Sequence, residues 1–384
     1  QRAEIPRPAT LDVLRPPVPP APAPAAAAVD RLAGMVRAAR RPALWLGAGA
    51  AGAGAAARRL LDLGFVMVTS WNGRGVVPED DPRSLGALHG AGVPMIEAFW
   101  ESCDLMVVAG SRLRGHETLD FSLKLPGRRA VVDVDPRADG RTYANELFVL
   151  GDAALTLEAL ADRLADGAWS AEPGFQADFA ALKPRARRAV AATLGPYADF
   201  AEQLRAALPW DAIFARDVTV GHSTWGHRLM ELYEPTANVY PVGAGIGQGL
   251  SLAVGAALAD GRKTVCLTGD GGFMLNLGEL WTAVQERADL AILVMNDAGY
   301  GVIRHIQDAQ GAARHYETLA LPDLEGLARL AGLPFARVAR PGDFGAAVAE
   351  AVAHPGPALV EVDMTVIGAH PPYFPYGPKA EAVD

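Results

Sequence analysis

From residue 30 onward the chain alternates two hydrophobic patterns. Short, nearly unbroken apolar runs rich in Val, Ile, Leu and Phe read as strands buried on both faces. Between them, Ala- and Leu-rich stretches with apolar positions three and four apart read as amphipathic helices. The runs predict strands at 43–50 (ALWLGAGA), 65–70, 104–110, 129–135 and 146–152, and a second series at 212–218, 238–243, 263–270, 290–297, 335–340 and 358–364. Parallel sheets with helical crossovers produce this alternation. The expected fold class is therefore α/β, with two doubly wound, mostly parallel-sheet domains: a Rossmann-like central domain over 30–165 and a second domain over 199–366. Residues 166–198 carry no long β run and read as a connecting segment with some helix. Residues 1–29, with PPVPPAPAPAAAAV, read as a Pro/Ala-rich linker, which implies that something precedes it. The tail, 367–384, is rich in Pro and aromatics and suits a segment lying over a surface.

Composition narrows the function classes. Half of the 384 residues are apolar, enough for a large core, and 44 acidic against 35 basic residues give a net charge of −9. That balance argues against a nucleic-acid partner or an anionic membrane surface. Cys103 and Cys266 both sit in apolar runs and read as buried reduced thiols. No run reaches the roughly 18 apolar residues of a membrane span, and the N-terminus lacks a signal-peptide layout. A cytoplasmic location fits these features.

In the first domain, GAGAAGAG (47–54) follows a strand. It is open to two readings: a dinucleotide-binding turn, or a turn of small residues that packs a helix closely on a sheet. The acids Asp133 and Asp135 lie some 80 residues further on, where the dinucleotide fingerprint expects about 20.

The second domain carries the stronger signal. CLTGDGGFMLNLGELWTAV (266–284) is a strand that ends on Gly-Asp-Gly-Gly and enters a helix with Leu277, Leu280, Trp281 and Val284 on one face. Gly271 and Gly272 let backbone N–H groups approach a phosphate, and a helix N-terminus adds partial positive charge. Asp270 stands where it can hold a cation, and a diphosphate bound in this way calls for a hard divalent ion. One strand further on, ILVMNDAGYG (292–301) ends on Asn296 and Asp297. Open α/β sheets bind ligands at such strand ends. Each half alone also looks like a tight turn or a helix cap.

The pair, GDG followed by a helix, a strand and an Asn-rich end, resembles the signature of thiamine-diphosphate-dependent enzymes. TSWNGRGVVPEDDPRSLGALHG (69–90), DLMVVAGSRLR and VVDVDP are similar to the central domain of the acetolactate-synthase-like branch, a family of 2-oxo-acid decarboxylases and carboligases. DVTVGHSTWGHRLMELYEPTANVYPVGAGIGQGLSLAVGAAL (217–258) resembles the start of its diphosphate-binding domain. The resemblance implies thiamine diphosphate and Mg²⁺ as cofactors. It makes Asp270, Asp297 and the carbonyl of Gly299 the metal ligands, with Asn296 a supporting hydrogen-bonder. Gly271 and Gly272, with Gly269 beside them, match the diphosphate cradle, and His222 and Ser223 match additional donors. Ile246 matches the apolar residue under the cofactor, unless it is plain core, and the carbonyl of Ala244 would accept from the cofactor's amino group. Tyr300 and Gly301 complete the expected cofactor contacts.

Members of this family carry three domains, of which this chain matches the second and third. The glutamate that forms the cofactor's ylid belongs to the N-terminal pyrimidine-binding domain, and no Glu in this sequence matches it. The expectation is that the chain lacks independent activity. Ile246, Val302, Ile303 and Ile306 are the pocket candidates, where an apolar wall resembles benzoylformate-decarboxylase-like sites and implies a bulky or aromatic 2-oxo acid or aldehyde. Packing of the helix explains Ile303 and Ile306 equally well. FAD, near the segments containing His89 and Arg112, is a further cofactor the resemblance allows. Family members share the cofactor between subunits, so a homodimer or homotetramer is expected. Two rival readings are a non-catalytic or regulatory homologue and a nucleotide-dependent oxidoreductase built on GAGAAGAG.

Overall fold

The computed structural model describes residues 19–87, 94–241, 243, 245–315 and 318–372. Strands β1 (Pro42–Leu46), β2 (Val66–Thr69), β3 (Leu105–Ala109), β4 (Arg129–Asp133) and β5 (Leu147–Leu150) form one sheet in the order β2-β1-β3-β4-β5. Strands β6 (Ile213–Arg216), β7 (Asn238–Val239), β8 (Thr264–Gly269), β9 (Leu290–Asn296), β10 (Phe335–Val338) and β11 (Ala358–Asp363) form the other, in the order β10-β11-β9-β8-β6-β7. Every pairing in both is parallel. The α/β class with two doubly wound sheets is therefore what the chain adopts, and each β-rich run yields a strand.

Several strands stop earlier than their apolar runs. β1 ends at Leu46 because Gly47 opens a turn with a 3₁₀ segment at Ala48–Ala50. β7 is reduced to two residues at the sheet edge, with Pro241, which has no N–H to donate, just beyond it.

Helices α1 (Ala26–Arg37), α2 (Gly54–Asp62) and α4 (Ala153–Leu164) cover one face of the first sheet, while α3 (Pro94–Glu101) and α5 (Phe175–Ala192) belong to the other. The period of two along each strand divides the core accordingly. In β1, Leu44 and Leu46 face the first group, whereas Ala43 and Trp45 enter a second core that runs on into the other domain. There it includes Phe214, Trp225, Val265 and Leu293, together with Phe200 on α6 (Phe200–Ala207) and Phe344 on α12 (Phe344–Ala353), whose rings stack 4.0 Å apart. The opposite face of the second sheet is closed by α7 (Gly249–Asp260), α9 (Glu279–Gln285) and α11 (Leu324–Ala331). The remaining helices of this domain are α8 (Asp270–Leu275), α10 (Gly301–Ala309) and the short α13 (Met364–Ile367).

Three readings change. The Pro/Ala linker was expected to reach residue 29, but α1 starts at Ala26, because an Ala run is a strong helix former once the prolines stop. Segment 166–198 is largely α5, which buries Phe175, Phe179, Ala186 and Val190 in the shared core and is part of the packing rather than a simple connection. The helix after GDGG is two helices, α8 and α9, because the chain turns at 276–278 and Asn276 donates to the carbonyl of Gly247. The hydrophobic stripe restarts in a new phase on α9. Leu280 is buried and Leu277 and Val284 pack at the core edge, but Trp281 is 45% exposed, against the expectation.

The tail packs on the domain as far as Pro371, beside Gly195. Tyr197 Oη donates to Gly368 O at 2.5 Å, and the His370 ring stacks on Tyr197 at 5.4 Å. Residues 373–384 and 1–18 lie outside the described residues. Both cysteines are buried and unpaired. Among the described residues no helix is long and apolar enough to cross a membrane.

In the second sheet the chain leaves β6 for β7 on one side and returns to β8 on the other. The crevice at the carboxyl ends of β6 and β8 is thus a topological switch point, the position where open α/β sheets hold ligands.

Candidate functional site

Three carboxylates mark that crevice: the buried Asp217 just after β6, the buried Asp270 just after β8 and the half-buried Asp297 just after β9. Asp270 is only 3% exposed. Its Oδ1 accepts from Gly271 N and its Oδ2 from Gly299 N, both at 2.8 Å. No Lys, Arg or His forms an ion pair with it among the described residues. Burial, and then the charge of Asp297, push its carboxyl up to about 6. A carboxylate in that condition gains by acquiring a cation.

Asp297 is also pushed up by burial, opposed by the guanidinium of Arg304 on α10, which donates to both its carboxylate and its main-chain oxygen. Asn296 turns the other way. Its Nδ2 donates to Glu361 Oε1 on β11 at 2.7 Å and its Oδ1 accepts from Ala298 N at 3.0 Å. The turn between them holds Ala298 at φ 54°, a left-handed conformation that a residue with a Cβ seldom adopts.

Asp217 has a different task. Fully buried, it accepts from Val218 N at 2.7 Å, from Gly247 N at 2.9 Å and from Gly249 N at 3.2 Å. It thereby fastens the glycine-rich loop 243–249 to the end of β6. A Cβ on Gly249 would lie 2.6 Å from Asp217 Cβ, and one on Gly272 would lie 2.6 Å from Asp217 Oδ2. At Gly271 a Cβ would meet the Tyr300 ring at 2.7 Å. Gly271 and Gly272 therefore have no room for side chains, and both border the cavity of this crevice.

These elements line one cavity of about 500 Å³. Of the expected site residues, His222, Ser223, Ile246, Gly269, Asp270, Gly271, Gly272, Asp297, Gly299, Tyr300, Gly301, Val302, Ile303 and Ile306 all border it. His222 lies on a π-helical turn, His222–Gly226, a feature frequent at functional sites. Gly299 donates its N–H to Asp270 and forms an antiparallel bridge with Thr318. Ala244 and His89 lie outside the described residues, and Arg112 is exposed. Among the described residues no group of three or more His, Cys, Asp or Glu side chains could hold a metal. A cation here must combine two carboxylates with main-chain or ligand oxygens.

Sequence reasoning missed the other end of the cavity, where the first domain contributes Trp71, Asn72, Arg114 and His116 opposite His227 and Tyr240. Trp71 stacks on His227 at 4.4 Å, and His227 meets His222 edge-on at 3.9 Å. Both buried imidazoles are held well below their ordinary pKa, first by burial and then by neighbouring positive charge, including Arg216 and Arg74. Among the described residues the Nδ1 of each lacks a protein partner. Arg216 is fully buried, with Asn238 Oδ1 at 2.5 Å as acceptor and its Nε and Nη1 unpartnered, and burial pushes it down to about 9. Residues so far apart in the chain show no local pattern. Asp217 had one usable signal, its place at a strand end level with Asp270.

The GAGAAGAG turn stands apart from this cavity. A Cβ on Gly47 would lie 2.2 Å from Gly110 O and one on Gly49 2.9 Å from Gly110 Cα. Its glycines serve the close approach of two loops, which favours the packing reading over the dinucleotide one.

Comparison with known proteins gives a consistent picture. Residues 219–362 match the C-terminal TPP binding domain of the thiamine pyrophosphate enzymes, and residues 29–160 match their central domain. A probable 2-ketoarginine decarboxylase of Pseudomonas aeruginosa is 35% identical over 285 residues, 72% of this chain and 49% of that protein. A probable chloroplastic acetolactate synthase 2 of rice is 30% identical over 88% of this chain and 54% of its own length. The acetolactate synthase isozyme 1 large subunit of Escherichia coli is 28% identical over 91% and 62%. The chain spans about half the length of the first two of these curated relatives.

Proposed function

The chain belongs to the thiamine pyrophosphate enzyme family, on its acetolactate-synthase-like branch, and on that footing we propose that its switch-point cavity binds thiamine diphosphate with Mg²⁺ and serves decarboxylation or carboligation of a 2-oxo acid. One observation carries the reading: two carboxylates, the buried Asp270 and the half-buried Asp297, at adjacent strand ends beside two glycines that have no room for side chains.

The residues present fit the group. Asp270 is buried with only backbone N–H donors and no basic side chain paired to it among the described residues, which suits a divalent ion held by oxygen ligands. In the proposal Asp270, Asp297 and the Gly299 carbonyl hold Mg²⁺. Gly271, Gly272, His222 and Ser223 face the diphosphate, with Asp217 fixing the loop that carries Ile246 beneath the cofactor. Bound thiamine diphosphate supplies a nucleophilic carbon and an electron sink. The apolar wall of Ile246, Val302, Ile303 and Ile306 borders the cavity, with Ile246 and Ile303 exposed toward it or solvent, and in the proposal it suits a bulky or aromatic 2-oxo acid or aldehyde. No glutamate borders the cavity among the described residues. The curated relatives extend well beyond the span this chain matches, and the proposal assigns the acid that activates the aminopyrimidine to a pyrimidine-binding domain of the whole protein; the working unit it envisages is a homodimer or homotetramer. A cytoplasmic location belongs to the same proposal.

The test is a panel of 2-oxo acids offered to the full-length protein with thiamine diphosphate and Mg²⁺, scored for CO₂ release and for carboligation products. Turnover that requires both cofactors is expected. Tight Mg²⁺-dependent cofactor binding with no turnover of any 2-oxo acid would identify a non-catalytic homologue instead, and no cofactor binding at all would overturn the reading.

A further inference from the structure

We propose that Arg304 is a built-in counterion of the second metal ligand, competing with the cation for Asp297 so that metal and diphosphate load together rather than metal first. The inference rests on the cofactor reading given above.

Asp297 brings a second negative charge into a pocket that already buries Asp270. Arg304 offsets it from the first turn of α10, where its own N–H bonds to Tyr300 O at 3.0 Å. Its Nη2 reaches the main-chain oxygen of Asp297 at 3.2 Å as well as the carboxylate. The two side chains are 19% and 17% exposed, so water screens the pair little. A cation that takes Asp297 must remove this guanidinium first, and bare metal binding is weakened by the energy of the pair. One helical turn further on lies Asp308, already paired with Arg314 at 2.7 Å, whose charge Arg304 also feels. An arriving diphosphate brings its own negative charge, so it strengthens the metal's hold on the site. Cofactor loading is then an exchange at Asp297 of one cation, the guanidinium, for another.

The test is Mn²⁺ binding to the full chain, read from the free-ion paramagnetic resonance signal, with and without thiamine diphosphate. Wild type, Arg304→Gln, Asp297→Asn and the double variant are compared. Without the cofactor, Arg304→Gln should bind Mn²⁺ about tenfold more tightly than wild type, the scale of one partly buried ion pair. In the Asp297→Asn background the same substitution should change affinity less than about twofold. Arg304→Met, which keeps the aliphatic stem, gives the same comparison if the glutamine variant folds poorly. Saturable, cofactor-enhanced Mn²⁺ binding that Arg304→Gln leaves unchanged or weakens overturns this inference alone. Absence of saturable binding in all four proteins, even with thiamine diphosphate, overturns the cofactor reading and this inference together.

Discussion

Replacing Asp217 by Asn tests whether this carboxylate holds the glycine loop in place. The acid accepts from the backbone N–H groups of Val218, Gly247 and Gly249 and is fully buried. A carboxamide keeps the shape but has a single oxygen, and its NH₂ must face at least one of these N–H donors. One buried N–H left unsatisfied costs about 1–3 kcal/mol, and the surviving bonds lose their charge assistance. Against this, burial pushes the Asp217 carboxyl upward, so removing its charge recovers part of a desolvation cost. The net loss is about 2 kcal/mol, or about 30-fold in local opening. Amide hydrogen exchange reads it directly: the Gly247 and Gly249 amides should lose about 30-fold in protection, while Val107 in the first sheet stays unchanged. Thiamine diphosphate should bind more weakly in parallel, since Ile246 rides on that loop. Protection at Gly247 unchanged within about threefold would refute the reasoning.

Three further outcomes follow from the same geometry. The Asp270 carboxyl is pushed up to about 6, so the folded chain holds that proton more tightly than the unfolded chain. Its contribution to the stability of the metal-free protein therefore falls as pH rises from about 4 toward 6, while Mg²⁺ affinity rises over that window, about tenfold per pH unit; metal titrations and thermal midpoints with and without Mg²⁺ check both signs. Asp297→Ala should abolish metal-dependent cofactor binding, whereas Asn296→Ala should only weaken it and cost about 1–2 kcal/mol through the lost Glu361 and Ala298 bonds; calorimetry giving the reverse ranking would mean that the ligand register is shifted by one. Gly272→Ala drives a Cβ to 2.6 Å from Asp217 Oδ2 and should destabilise the protein and weaken cofactor binding, whereas Gly278→Ala meets nothing within 4 Å and should leave both intact; comparing the pair in denaturation and binding assays separates crowding from a general effect of losing glycine.

How much of this was legible in the sequence depends on the range of the interaction. Strand positions were, because a parallel strand buried on both faces needs an unbroken apolar run, as in Leu290–Asn296. Their ends were less so, since the turn at Gly47 is set by the approach of Gly110, some sixty residues away in the chain. The split between α8 and α9 was illegible for a similar reason. Helical spacing continues through 276–278, and what turns the chain there is the reach of Asn276 to Gly247. Trp281 then falls on the solvent side although its spacing from Leu277 is helical.

The candidate site divides along the same line. Asp270, Gly271, Gly272 and Asp297 could be found because each sits at the carboxyl end of its own strand, and strand ends are readable one at a time. Asp217 and Arg304 act on those groups rather than on a ligand, and their meaning appears only once the fold brings loop 243–249 beneath β6 and α10 beside Asp297. Arg304 reads in the sequence as one more solvated charge of an amphipathic helix. In the structure it pairs with Asp297, whose charge adds to that of the buried Asp270 beside it. The second carboxylate and the cation that offsets it thus form one feature, and the Asp297 and Arg304 variants must be judged as a pair.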